Sequence, residues 1–242
     1  MIRTAGGDID APNRALVVVA HPDDIDFGTA GTVAAMTSAG THVSYCLVTS
    51  GEAGDDDLSR SSFDLAQERE SEQTAAAGEV GVSELHWLHH PDGRVVADLE
   101  LRRDVSRVIR QTRPDVVLTQ STQPDWDRIY GSHPDHLATA WATMAAIYPD
   151  SRNPRAHPEL LRDGLKPHKV AQAWIRDGDP DLYVDITDTF AQKVAALAWH
   201  QSQVAWMSDL PGMLRKWAEA TAEKGGMKAG LVAEAFRVID TL

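Results

Sequence analysis

Apolar positions along the chain switch repeatedly between two periods. Short β-branched runs near Ala15–Ala20, Val43–Val48, Glu84–Leu88 and Val116–Thr119 have the length of strands. Between them, Gly31–Ala39, Asp64–Val80, Leu99–Thr112 and Pro134–Ile147 carry apolar residues at helical spacing. Strands alternating with helices predict an α/β fold: a mainly parallel sheet with helices on both faces, joined by right-handed crossovers. In such sheets ligands gather just beyond the carboxyl edge of the strands, which is where the active site is expected.

Beyond Ile147 the pattern loosens. Pro149, Pro154, Pro158 and Pro167 interrupt regular structure, and Ser151 to Lys169 reads as a long irregular loop on the substrate side, with its irregularity beginning near 149. Val170–Ile175 and Leu182–Ile186 predict further strands, and Thr189–His200 a helix. Trp217–Ala222 and Leu231–Val238 read as helical, separated by Gly225-Gly226 as a break or lid hinge. The sheet is therefore Rossmann-like, but Gly28-Thr29-Ala30-Gly31 is not the G-x-G-x-x-G fingerprint, so no dinucleotide is assigned.

Composition narrows the class. With 242 residues and 43% hydrophobic content, residues 1–242 suffice for one domain around one large core. A formal net charge of -13 argues against nucleic acid as a partner, because phosphate binding needs clustered Lys and Arg. Cys46, the single cysteine, rules out an internal disulfide and reads as a buried thiol within a strand. No apolar stretch reaches the roughly 18 residues that span a bilayer, and the start of the chain lacks an apolar leader segment, so no membrane partner and a cytoplasmic location are expected.

The chemistry lies in two short motifs. Ala20-His21-Pro22-Asp23-Asp24 follows the first apolar run, and Ser132-His133-Pro134-Asp135-His136 opens a later helix. Pro22 has no N–H for a ladder, so the strand should stop there and turn its polar residues into the cleft. Two imidazoles and a carboxylate make a three-ligand catalytic metal site, and a further carboxylate is needed to take a proton from water. His21, Asp24 and His136 can supply the ligands, and Asp23 the base. Adjacent side chains point apart, so Asp23 and Asp24 should not share a role, whereas His21 and Asp24 can converge across a turn. Ser132 and Asp135 read as a capping box with Pro134 in the first turn, placing His133 and His136 on one helix face.

These residues resemble the LmbE-like or PIG-L family of N-acetylglucosaminyl deacetylases, and the resemblance covers most of the chain. It extends to Thr49-Ser50-Gly51-Glu52, Arg69, Glu72, Pro91-Asp92-Gly93 and the stretch from Asp185 through His200, Ser202 and Gln203. It implies that His21, Asp24 and His136 bind zinc, with iron(II) able to occupy the same ligands. It also implies that Asp23 is general base and then proton donor, and that His133, if protonated, stabilises the developing oxyanion. Arg69 and Asp92 fall where substrate contacts are expected. One departure stands out: where many relatives have Glu directly after the Asp pair, this chain has Ile25 and then Asp26.

The activity so implied is zinc-dependent removal of an acetyl group from the N-acetylglucosamine moiety of a small glycoside or conjugate. Cleavage of a larger acyl or thiol conjugate of glucosamine is the alternative, and a metal-containing carbohydrate-binding protein without turnover is a third reading that an intact Asp23 disfavours. The partner is a small amino-sugar substrate, with a homo-oligomer left open. Trp126, Arg128 and Tyr130 precede the second motif. Trp126 and Tyr130 suit either sugar contact or the anchoring of a loop. His89 and His90 read as cleft-wall or surface residues, and for His200 a rim role is the lesser of two readings, behind a purely structural one.

Overall fold

The computed structural model describes residues 1–127, 129–176 and 178–242. Its centre is a parallel set of strands: β1 (Arg14–Val19), β2 (His42–Leu47), β3 (Glu84–Trp87), β4 (Val116–Thr119) and β5 (Gln172–Ile175). The full seven-stranded order is β3-β2-β1-β4-β5-β7-β6, with β6 (Leu182–Asp185) and β7 (Ala233–Asp240) at the far edge. β7 runs antiparallel to both β5 and β6.

β1 shows why the run is continuous rather than alternating. Val17 and Val19 enter one core and Leu16 and Val18 the other, so both faces must be apolar. Helices cover each face: α1 (Asp24–Gly28), α2 (Ala30–Ser38), α3 (Ser62–Glu79), α4 (Leu99–Thr112), α5 (Pro134–Ala145), α6 (Pro158–Arg162), α7 (Phe190–Ala198), α8 (Gln201–Val204) and α9 (Leu210–Lys224). α4 illustrates the local logic. Asp98 caps it by accepting from the backbone N–H groups of Glu100 and Leu101, both at 3.0 Å, and Leu101, Val105, Val108 and Ile109 form its buried stripe.

Two expectations are corrected. Leu231–Val238, read as helical, carries strand β7, because the gap between β5 and β6 offers ladder partners on both sides and pairing overrides the helix preference of Ala and Glu. Buried Glu234 on this strand accepts from the N–H groups of Gly31 (3.2 Å) and Thr32 (2.7 Å) at the start of α2, and from Lys193 Nζ at 2.7 Å. The stretch from Ser151 to Lys169 is not wholly irregular, since Pro158 starts the short helix α6. Among the described residues, no helix is long and apolar enough to cross a membrane.

Candidate metal centre and active site

The chain order places a switch point at β1: β2 lies on one side of it and β4 on the other. The crevice at the carboxyl ends of β1 and β4 is thus the expected ligand site. The first motif leaves β1 directly into it, and Ala20 is anchored by donating its N–H to Gln120 Oε1, 3.0 Å away beyond β4. The second motif enters at the N-terminus of α5.

His21, Asp24 and His136 meet there. His21 Nδ1 lies 3.2 Å from His136 Nε2 and 3.4 Å from an Asp24 oxygen, and the other Asp24 oxygen lies 3.1 Å from His136 Nε2. Donor atoms about 2.0–2.1 Å from a tetrahedral ion stand about 3.3–3.4 Å apart, close to these separations, so the three side chains are placed to share one zinc-type ion through one of the Asp24 oxygens. On the far side of the ring, His21 Nε2 faces Asp92 Oδ1 at 2.9 Å and Asp135 Oδ2 at 3.4 Å. A carboxylate behind a ligating imidazole fixes the tautomer that leaves Nδ1 free to coordinate. Asp135 is itself held by the N–H groups of Gly93 (2.7 Å) and Val95 (3.2 Å).

Electrostatics also favour a cation. Burial works against charge on His21, but Asp135, Asp24 and Asp92 outweigh it and push the imidazole up to about 12. Burial likewise opposes charge on Asp24, yet His136 and His21 hold its carboxyl well below the usual range. Three carboxylates around one imidazole call for positive charge at this point, which a divalent cation among the same atoms satisfies.

His133 could also contribute a nitrogen, since its ring nitrogen lies near those of His21 and His136. Its ring lies edge-on to His21 with centroids 4.9 Å apart. It has another task, however: its Nδ1 accepts from the Asp135 N–H at 3.2 Å, making His133 the cap of α5. The predicted capping box is corrected accordingly. Ser132 Oγ instead accepts from Asp125 N at 2.7 Å and donates to Asp125 O at 2.8 Å, closing the preceding loop. With Nδ1 accepting, the proton of neutral His133 sits on Nε2. Burial, then His21 and His136, lower its pKa, which favours the neutral ring, a hydrogen-bond donor through Nε2.

Asp23 stands apart from Asp24, as expected. Its backbone is left-handed, with φ 83° and ψ -27°, and its carbonyl accepts from Asp26 N and Phe27 N, both at 2.9 Å, starting α1. Burial raises its pKa to about 6, against the opposing pull of Arg69. Arg69 is buried, and its guanidinium reaches Pro22 O (2.7 Å), Gly51 O (2.9 Å) and Asp23 Oδ2 (3.3 Å). Gly51 makes room for it: its φ is +70°, and a Cβ there would come within 2.3 Å of Arg69 Nη1.

The remaining sequence candidates divide. Asp92 joins the cluster through His21, and its N–H donates to Glu52 Oε1 at 2.9 Å. Trp126 and Tyr130 are exposed in the loop before α5, while Arg128 lies outside the described residues. His89 is exposed and its Nδ1 lies 3.1 Å from Ser50 Oγ, whereas His90 pairs with Asp104 at 3.1 Å. His200 is not on the rim: it is fully buried, with Nε2 2.8 Å from Asp26 Oδ2. The displaced acid Asp26 thus turns inward. Asp135 and Gln73 are the site neighbours that sequence reasoning missed; Asp135 was legible only as a helix cap, and Gln73 carried no signal. A groove of about 380 Å³ lies between α3 and the loop after β2, lined among others by Ser50, Glu52, Phe63, Glu70 and His89, and its Glu52 is the residue that accepts from the Asp92 N–H.

Comparison with known proteins agrees with this geometry. Residues 16–147 match the model of the PIG-L family, described as GlcNAc-PI de-N-acetylase. A diacetylchitobiose deacetylase from Thermococcus kodakarensis is 32% identical over 191 residues, covering 78% of this chain and 70% of that protein. A 1D-myo-inositol 2-acetamido-2-deoxy-alpha-D-glucopyranoside deacetylase from Saccharopolyspora erythraea is 32% identical over 238 residues, covering 78% of this chain and 83% of the relative. Among solved structures, N,N'-diacetylchitobiose deacetylase from Pyrococcus horikoshii, complexed with its inhibitor MPG, superposes with a TM-score of 0.85 at 28% identity, covering 95% of this chain and 85% of that one. These three relatives are deacetylases of GlcNAc-containing substrates, and this chain belongs to the PIG-L family.

Proposed function

We propose that the protein is a zinc-dependent deacetylase of N-acetylglucosamine-containing glycosides, hydrolysing the acetamide to a free amine and acetate. The observation that carries this reading is the pairing of a cluster in which donor atoms of His21, Asp24 and His136 approach to 3.1–3.4 Å, with a separate, partly buried carboxylate, Asp23, whose pKa is raised to about 6. A structural metal site has no use for such a base; a hydrolase does.

His21, Asp24 and His136 would hold the ion, with Asp92 and Asp135 behind His21. When bound, the ion supplies Lewis-acid polarisation of the amide carbonyl and acidification of water. Asp23 takes a proton from the attacking water and returns it to the nitrogen as the C–N bond breaks, so the amine leaves neutral. A pKa of about 6 suits both halves of that shuttle near neutral pH. His133 Nε2–H donates to the carbonyl oxygen as it gains negative charge. Arg69 keeps Asp23 aimed and limits the rise in its pKa.

The groove between α3 and the loop after β2, tied to Asp92 through Glu52, takes the group attached to the amino sugar. Phe63 offers a ring face, while Glu52, Glu70 and His89 offer hydrogen-bonding groups for hydroxyls. The test is amine release from N-acetylglucosamine, N,N'-diacetylchitobiose and other N-acetylglucosaminides, using protein stripped by chelator and resupplied with zinc. Zinc-restored release is expected; silence across the panel with zinc bound would overturn the reading in favour of a larger acyl substrate or a binding protein.

A further inference from the structure

The left-handed backbone at Asp23 has to be held by something, because a residue with a Cβ pays for that conformation and α1, only five residues long, has little rigidity of its own. A relay of three buried side chains, Gln73 from α3, Asp26 from α1 itself and His200 from after α7, ends on it. The Asp23 N–H donates to Gln73 Oε1 at 2.9 Å, Gln73 Nε2 donates to Asp26 Oδ2 at 2.8 Å, and His200 Nε2 lies 2.8 Å from the same Asp26 oxygen. Gln73, Asp26 and His200 are each 0% exposed.

The donor and acceptor roles leave one consistent arrangement. A backbone N–H can only donate, so the Gln73 oxygen must face Asp23 and its NH2 must face the Asp26 carboxylate. The Asp26 oxygen then receives the His200 proton on Nε2. Lys193 adds a further restraint by donating to the carbonyls of Asp26 (2.9 Å) and Phe27 (2.8 Å). Gln73 also lies four residues beyond Arg69 on α3, so one helix face grips Asp23 twice, by its carboxylate through Arg69 and by its N–H through Gln73.

We infer that Gln73, braced by Asp26 and His200, is a positioning residue that fixes the backbone of Asp23 and thereby aims its carboxylate. The inference rests on Asp23 being the base of the proposed deacetylase. It also gives buried Asp26 a role: it anchors the brace.

The experiment combines Gln73→Met with Asp23→Asn and follows three quantities. On zinc-loaded protein, Gln73→Met should lower kcat about 10–100-fold, as small misalignments of a reacting group do. KM and bound zinc should stay at wild-type levels. In the Asp23→Asn background the same substitution should have no further effect on kcat, because Gln73 acts only through Asp23. A merely structural role would lower activity equally in both backgrounds, and that result would overturn the inference. Amide hydrogen exchange supplies the readout independent of turnover. The Asp23 amide should exchange at least tenfold faster in Gln73→Met while β1 amides keep their protection; unchanged exchange at Asp23 would overturn the inference whether or not the enzyme turns over. His200→Gln, which keeps an N–H donor for Asp26, should retain more kcat than His200→Leu, and equal loss in both would also count against it. If no N-acetylglucosaminide is hydrolysed by the wild type while the exchange effect appears, the deacetylase reading fails and the backbone brace stands.

Discussion

Replacing Arg69 with Met removes two charge-assisted hydrogen bonds to loop carbonyls, at 2.7 Å and 2.9 Å, and the guanidinium that lies 3.3 Å from Asp23 Oδ2. Hydrogen bonds involving a charged group contribute about 1.5–3 kcal/mol each. Breaking one side of a buried ion pair costs about 3–5 kcal/mol. The contacts share one side chain, so these figures overlap, and a loss of about 3–5 kcal/mol is expected for Arg69→Met. The penalty should depend on pH. Asp23 already titrates near 6, above its ordinary 3.8, so its folded-state stabilisation belongs to the protonated form and is lost as pH rises through about 6. Without Arg69 the pKa moves higher still, and the ionised carboxylate is left partly buried without this cation. Urea unfolding on either side of pH 6 should therefore show a larger Arg69→Met deficit on the alkaline side, and the acid limb of kcat/KM should move to higher pH. Arg69→Lys should recover part of the pH shift but less of the stability, because an ammonium cannot span both carbonyls as a planar fork does. An Arg69→Met protein with wild-type midpoints and an unmoved acid limb would refute the reasoning.

Other parts of the molecule make separate predictions. Lys193 and Glu234 form a buried pair at 2.7 Å, so Lys193→Met should cost about 3–5 kcal/mol in chemical denaturation; a loss under about 1 kcal/mol would show that the pair does not hold β7 to α1. At the other sheet edge, burial raises Glu84, but hydrogen bonds from Ser44, His42 and His86 prevail and bring it to about 2. Its contribution is present above about 4.5 and fades as pH falls through about 2, so the stability gap between wild type and Glu84→Gln should close on acidification. A gap that widens toward low pH would contradict the assignment. Phe63→Ala should lower kcat/KM for a disaccharide substrate roughly tenfold, the order of a lost aromatic contact, while sparing N-acetylglucosamine. Equal losses for both would place the attached group elsewhere.

The sequence disclosed the site better than its supports. The strand leading into His21 and the helix following His133 were legible because a doubly buried parallel strand is uniformly apolar and Pro134 marks a helix start. The spacing of His133 and His136 then brought both rings to the crevice, with centroids 5.3 Å apart. The long-range partners were not legible, since nothing local distinguishes Gln73 from any other glutamine on a polar helix, or His200 from a rim residue. Strand β7 was hidden for a related reason. Glu234 points into the structure to cap α2 and pair with Lys193, so a buried charge breaks the alternation that would have identified a strand. The cap of α5 misled in the opposite direction. Ser132 had the expected spacing, but Asp125, within the loop that leads from β4 to α5, claims its hydroxyl and leaves the capping to His133.

The central claim is that the ion-binding residues and the base are separate groups of one hydrolytic site. The most direct measurement is zinc content and amine release on Asp23→Asn beside the wild type, both stripped and reloaded with zinc. The account predicts full zinc occupancy with release from N,N'-diacetylchitobiose lowered at least about 100-fold, the usual scale for losing a general base. Near-normal release with zinc bound would contradict it.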